Sequence, residues 1–297
     1  QLNVVRAQLA LGNNTAAHES LRKLLEAHPG YIPASVALIT LDYREGRREA
    51  SLQRMTGLKA AHPNDPNVAV LEGDLAMAGK SYAEAADAYA AAEKLAPSGA
   101  VAVRTFRAKQ LGGQADATAP LESWLRREPK DVAARMVLAE AYVTRGQRDR
   151  AIAQYETAVQ TERPNPMAMN NLAWLYHETR DKRAVDMAKR AYDASPNAPA
   201  IADTYGWILV SEGKVQEGLP ILQKAAAGPK AHPDIRYHYA AALARAGQKD
   251  AARKELLSKG VEVSEVFHDA GGSLGGGFIA ATEARAAGPE IPREEGL

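Results

Sequence analysis

The chain contains no cysteine. That excludes disulfides, thiolate metal sites and cysteine nucleophiles, and leaves the redox compartment open. Aromatic residues are scarce at 6%, with three tryptophans in 297 residues. Neither sign of charge dominates: 37 basic residues face 36 acidic ones in no long single-sign run, which argues against a nucleic-acid or anionic-membrane surface. No apolar run approaches the roughly 18–20 residues that span a bilayer. Val/Ile/Thr-rich alternation is sparse as well. What is abundant is alanine, in runs such as "AEAADAYAAAEKLA". Alanine loses no side-chain entropy in a helix, so this composition favours an all-helical protein with close helix–helix contacts.

Internal periodicity gives the architecture. Glycines recur at Gly12, Gly46, Gly79, Gly112, Gly146, Gly213 and Gly247, with one expected glycine missing near Arg180. A small residue follows each turn at Ala17, Ser51, Ala85, Ala117, Ala151, Ala184, Gly218 and Ala252. Prolines close the units at Pro29, Pro63, Pro97, Pro129, Pro164 and Pro196. All three landmarks share a period near 34 residues. The glycine is expected to end the first helix of a pair in a left-handed conformation that is cheap without a Cβ. The small residue lets the second helix approach closely, and the proline stops it. Between landmarks the apolar residues keep helical spacing, as with Val137 and Ala141 against Ile152, Tyr155 and Ala158.

These landmarks resemble the tetratricopeptide repeat, whose signature runs W-x2-L-G-x2-Y, then A-x3-F, then P. The fifth unit carries Leu138, Ala139, Tyr142, Gly146, Ala151 and Tyr155 in frame, and the sixth carries Leu172, Ala173, Tyr176, Ala184 and Pro196. The resemblance implies an all-α, right-handed α-solenoid of about eight helix–turn–helix repeats. The expected units are 1–30, 31–64, 65–97, 98–130, 131–164, 165–197, 198–231 and 232–262. Residues 263–297 are rich in Gly, Pro and Ala and are expected to form a tail with a short helix near Phe278–Ala287. The runs "NNLAW", "DTYGW" and "YHYA" further resemble the bacterial tetratricopeptide lipoproteins of exosortase/PEP-CTERM exopolysaccharide systems. That resemblance implies a place in the bacterial cell envelope, periplasmic or outer-membrane-associated; a cytoplasmic location is the alternative. The start at Gln1 suggests a fragment or a processed form.

Motifs for catalysis or cofactors are thin. "GGSLGGG" lacks the Lys-Ser/Thr of a phosphate loop and a second strand, so it reads as a linker. His28, His62 and His232 each precede a proline at a unit boundary, and His232 and His238 are six apart, off one helical face. No H-x-x-x-H pair suggests a metal, and spacing suggests no Ser/His/Asp set for a serine nucleophile. Glu140 and Asp203 sit on predicted helices without an evident partner. The chain therefore reads as non-enzymatic, with no cofactor.

What remains is the face lined by the first helices. In this family its positions recur at i, i+4 and i+7. Carried over, the pattern gives Asn170, Trp174 and His177 in the sixth unit, and Asp203, Trp207 and Val210 in the seventh. It gives Tyr237, Ala241 and Ala244 in the eighth, and Met136, Glu140 and Val143 in the fifth, with Phe106 and Lys109 at matching places in the fourth. Trp174 and Trp207 are then equivalent residues of neighbouring repeats. Two readings stay open: the indoles pack between first helices and set the pitch, or they stack against a ligand while Asn170, Asp203 and Tyr237 bond to it. The expected partner is a protein or peptide held by a scaffold. A regulatory or substrate-recruiting array of a larger enzyme, such as a glycosyltransferase, and a polysaccharide-binding groove are the alternatives.

Overall fold

The computed structural model describes residues 2–160, 164–228 and 231–257. The expected tail after 262, with its glycine run and short helix, lies outside the described residues. Among those described there are sixteen α-helices and no strand. First helices are α1 (Leu2–Ala10), α3 (Ile32–Arg44), α5 (Pro66–Ala78), α7 (Gly99–Leu111), α9 (Val132–Thr144), α11 (Pro166–Glu178), α13 (Pro199–Ser211) and α15 (Pro233–Arg245). Their partners are α2 (Asn14–Ala27), α4 (Arg48–Ala61), α6 (Tyr82–Leu95), α8 (Ala119–Arg127), α10 (Arg148–Ala158), α12 (Ala184–Ala194), α14 (Val215–Ala226) and α16 (Lys249–Leu257). The result is the expected all-α array of eight helix pairs. The chain divides into two compact units, Gln1–Ala134 and Arg135–Leu297, and each is described by itself.

Each first helix ends on a left-handed residue. These are Gly12, Gly46, Lys80, Gly113, Gly146, Arg180, Gly213 and Gly247, with φ between 56° and 82°, spaced 33 or 34 residues apart. The landmark is therefore more regular than the glycines that suggested it. Gly79 and Gly112 have φ of −80° and −77° and lie one place early, so Lys80 and Gly113 make the turn. Arg180 turns the chain where the glycine is missing. The turn satisfies carbonyls at the helix end: Gln147 N–H donates to Tyr142 O at 2.8 Å, and Asp181 N–H to Tyr176 O at 2.7 Å. Helix starts are equally explicit. The side chain of Asn165 accepts from the amides of Met167 and Ala168, with Pro166 in the first turn, where its missing donor costs nothing. Five of the six closing prolines stand two residues beyond a second helix; Pro164 stands six beyond α10.

The small residues do what their size allows. Ala17, Ser51, Ala85, Ala117, Ala151, Ala184 and Ala252 are buried at 0–3% exposure, and Gly218 is buried too. Counting seven back from each left-handed residue gives Val5, Ile39, Gly73, Phe106, Ala139, Ala173, Gly206 and Ala240, all buried on the first helices. In the second unit this place holds only alanine or glycine. At α13–α14 both sides are glycine. A Cβ on Gly206 would lie 2.7 Å from Leu222 Cγ and 3.2 Å from Gly218 O; one on Gly218 would lie 2.5 Å from Gly206 O. The two backbones are in direct contact there, and that contact sets where Trp207, the next residue, emerges.

Candidate functional site

The place six before each left-handed residue is exposed or half-buried on every first helix except α11, where Trp174 is buried. In the first unit it holds Arg6, Thr40, Asp74 and Arg107; in the second it holds Glu140, Trp174, Trp207 and Ala241. Aromatic rings at this place belong to the second unit alone.

Around these rings α11, α13 and α15 build one cluster. Asp203, on α13, is 0% exposed, and His238, on α15, is 2% exposed. The imidazole Nδ1 lies 2.9 and 3.0 Å from the two Asp203 oxygens, so Nδ1–H donates to the carboxylate. His238 stacks on Trp207 with centroids 4.4 Å apart and planes at 17°, and lies 6.4 Å from the Trp174 ring. His177 tilts against Trp174 at 5.7 Å, and Tyr237 meets His238 edge-on at 6.0 Å. Arg245 places its guanidinium 4.9 Å from the Trp207 ring centre. Trp207, His177 and Tyr237 are half-buried, whereas Asn170 and Trp174 are buried.

The electrostatics follow from burial. Loss of water pushes the Asp203 carboxyl above its ordinary range, and the neighbouring His238 pulls it part of the way back. Burial lowers the His177 pKa; Glu212 and Glu178 oppose that, while His238 and Arg245 add to it. Along α11, Asn170 donates to Asn171 Oδ1 at 3.4 Å, and Asn171 donates to the Tyr155 hydroxyl at 3.1 Å. Burial raises the Tyr155 hydroxyl pKa, and Glu140 raises it further. Two atoms of α11 are buried without a partner: Asn170 Oδ1 and Trp174 Nε1. A buried polar atom left unpaired costs ~1–3 kcal/mol.

The expected site residues divide accordingly. Asn170, Trp174, His177, Asp203, Trp207 and Tyr237 fall on three consecutive first helices of one unit, and all but Asn170 touch this ring cluster directly or through His238. Glu140 lies on α9 of the same unit, half-buried, and its charge raises the pKa of the Tyr155 hydroxyl. Phe106 requires correction. It belongs to the first unit, is 4% exposed, and occupies the place of Ala173 and Gly206, not that of the tryptophans. Taking Gly112 as the turn shifted the fourth repeat by one residue; Arg107 holds the place of the tryptophans. Sequence reasoning also missed His238 and Arg245. The i, i+4, i+7 pattern steps over His238, which sits one place after Tyr237.

Among the described residues, the hydroxyl next in sequence to Asp203 is engaged elsewhere. Thr204, beside Asp203, donates its hydroxyl to Ala200 O at 3.1 Å. Among the described residues no group of three His, Asp or Glu side chains is arranged to hold a metal, and no helix is long and apolar enough to cross a membrane.

Comparison with known families gives the same reading as the turns. The tetratricopeptide repeat family matches residues 108–258, half of the chain, and a second form of the same repeat matches residues 8–75. The chain belongs to the tetratricopeptide repeat family. Among solved structures, it is similar to the C-terminal part of a TPR repeat-containing protein from Cytophaga hutchinsonii. That match has a TM-score of 0.61 and 13% identity, and covers 77% of this chain and 97% of that one. Yeast Tom70 matches with a TM-score of 0.52 and 15% identity over 82% of this chain and 52% of its own, so the chain spans about half of that relative. At these identities the likeness is one of repeat fold. No curated protein matches the sequence.

Proposed function

We propose that this tetratricopeptide array is a non-catalytic scaffold that holds an extended segment of a partner protein on the first-helix face of its second unit. Trp207, His177 and Tyr237 make the contacts. Asn170, Trp174 and Asp203 form the buried platform beneath them, and Glu140 continues the face along α9. The observation that carries this reading is the ring cluster itself: half-buried aromatic and imidazole rings over a buried polar layer, at places where the first unit has Arg6, Thr40, Asp74 and Arg107. Such a surface stacks on side chains and hydrogen-bonds a backbone at low entropic cost. Packing and contact are then divided between the two indoles, Trp174 packing and Trp207 contacting. The resemblance of "NNLAW" and "DTYGW" to exopolysaccharide-system lipoproteins supports a bacterial envelope assembly as the setting.

The test is selection of extended peptides from a displayed library on the full chain, followed by affinity measurement on Trp207→Ala. A loss of tenfold or more, with the melting temperature within a few degrees of wild type, supports the reading. Equal binding by the variant overturns it. Quenching of tryptophan fluorescence by exopolysaccharide oligomers, with no peptide selected, replaces the protein partner by a sugar chain.

A further inference from the structure

The two indoles of the ring cluster are held in different ways. Trp174 is fixed by burial, at 2% exposure, and the neighbouring His177 ring is only tilted against it, at 58°. Trp207 is half-buried and packs only at the margin of a small core of Val210, Leu222 and Ala242. Gly206 and Gly218, whose backbones touch behind it, add no side chain to lean on. An indole so placed keeps rotamer freedom that packing does not remove.

What lies flat on Trp207 comes from the next repeat. The His238 ring stacks on it with centroids 4.4 Å apart and planes at 17°. The same imidazole bonds through Nδ1 to both Asp203 oxygens, at 2.9 and 3.0 Å. Asp203 and Trp207 are four residues apart on α13, one turn along a single face. His238 spans that turn: its edge is pinned at Asp203 and its face meets Trp207. It also lies 6.4 Å from Trp174, and the two indoles share no ring contact with each other among the described residues. The Nδ1–H bond and the stack form whether or not Nε2 carries a proton, so neither depends on the charge of the ring. The other group over Trp207 is Arg245, exposed, 4.9 Å from the ring centre and tied by one bond of 3.4 Å to Val210 O. A long solvated side chain on so weak a tether does not fix a ring.

From this geometry we infer that His238 is the positioning residue of the site. Anchored by Asp203, it holds the Trp207 ring in the attitude in which a partner's segment meets it, so the eighth repeat sets what the seventh presents. The inference rests on the peptide-scaffold reading above and adds how its contact ring is governed. A contact side chain keeps one geometry when its neighbours lock its rotamer and are themselves held by hydrogen bonds. His238 meets both conditions for Trp207. At 2% and 0% exposure, His238 and Asp203 act through that ring and not by touching the partner.

The three indole N–H signals of the 15N-labelled full chain read the ring directly, and broadening by a soluble nitroxide reports how far each indole reaches into water. Trp124 is the internal control, its N–H held by Asp131 at 2.7 Å in the other unit. His238→Gln keeps an N–H donor for Asp203 and removes the stacked ring. In that variant the Trp207 signal should move while Trp124 stays, and the peptide selected on the wild-type chain should bind about tenfold more weakly or worse. Asp203→Asn keeps an acceptor for Nδ1–H, so it should hold the Trp207 signal in place and the affinity within about threefold of wild type. Arg245→Gln should change the nitroxide broadening of Trp207 less than His238→Gln does. A folded His238→Gln chain with wild-type signal and affinity overturns the inference, and so does an equal change in Arg245→Gln. A loss in Asp203→Asn as large as that in His238→Gln overturns anchoring by the hydrogen bond. Should His238→Gln fail to fold, the wild type decides. Nuclear Overhauser contacts between the His238 and Trp207 rings persist on adding the peptide if His238 positions the indole, and their loss overturns it. A displaced Trp207 with unchanged affinity supports the positioning and overturns Trp207 as the contact, which is a failure of the scaffold reading instead.

Discussion

Each unit buries one aspartate almost completely, and the two are held in opposite ways. In the first unit Asp42, 1% exposed, accepts from Arg47 Nε at 2.8 Å and Arg54 Nε at 3.0 Å, and lies 3.1 Å from His18 Nε2. Those three partners are 28–43% exposed, and an open cleft of about 700 Å³ runs past His18 and Arg47. In the second unit Asp203 has His238 alone, itself sealed by indole rings. The first carboxylate is a clamp with three wet hands, any one of which can let go. The second is half of a dry pair, and either half alone is a buried group without compensation. Redundancy marks the joint that holds the fold; its absence marks the place where a residue's chemistry is exact.

That contrast can be broken by substitution. The largest effect is expected for His238→Ala, which leaves the Asp203 carboxylate buried and unpaired. The second unit should lose about 3–5 kcal/mol, read by denaturant unfolding followed through tryptophan fluorescence. A loss below about 1 kcal/mol would mean that the pair is reached by water after all. Next come the two non-glycine turns. Lys80→Gly and Arg180→Gly should each stabilise by about 0.5–1 kcal/mol, because a left-handed side chain is strained while glycine gives part of that gain back in chain entropy. Unequal gains would show that the turns of the two units are not equivalent. Arg54→Ala should cost under about 1 kcal/mol, since its charge is half-exposed and Asp42 keeps two partners. The smallest effect concerns acid. Burial lowers the His177 pKa below the ordinary 6.5, so the folded chain takes up its proton later than the unfolded one. Stability from this group is complete above pH 6.5 and is lost as pH falls below it. Glu178, Glu212, His238 and Arg245 face the same ring and stay in place in the variant. His177→Gln should therefore show a smaller drop in melting temperature between pH 7 and pH 5 than the wild type.

The repeat fold was legible because three unrelated requirements share one period: a turn residue, a small contact residue and a helix stop. Each is local and leaves its own mark in composition. The register within a repeat was legible only where the turn residue was unambiguous. "GK" and "GG" offered two candidates at Gly79 and Gly112, and the wrong choice at Gly112 moved Phe106 from core to surface. The ring cluster was half legible. Trp174 and Trp207 announced themselves by rarity and matched setting. His238 did not, because its partner Asp203 is 35 residues away and the pairing depends on how α13 and α15 rotate about their axes. Periodicity says which residues are equivalent. It does not say which residue of one repeat faces which residue of the next.

The glycine-to-glycine crossing of α13 and α14 has a consequence for how this surface can change over generations. Trp207 follows Gly206, so its height above the helix layer is inherited from the absence of two methyl groups behind it. A lineage could retune what the ring touches without altering any contact residue, by drift at 206 or 218. The same concealed lever makes those two glycines the sites where a neutral-looking change is least neutral.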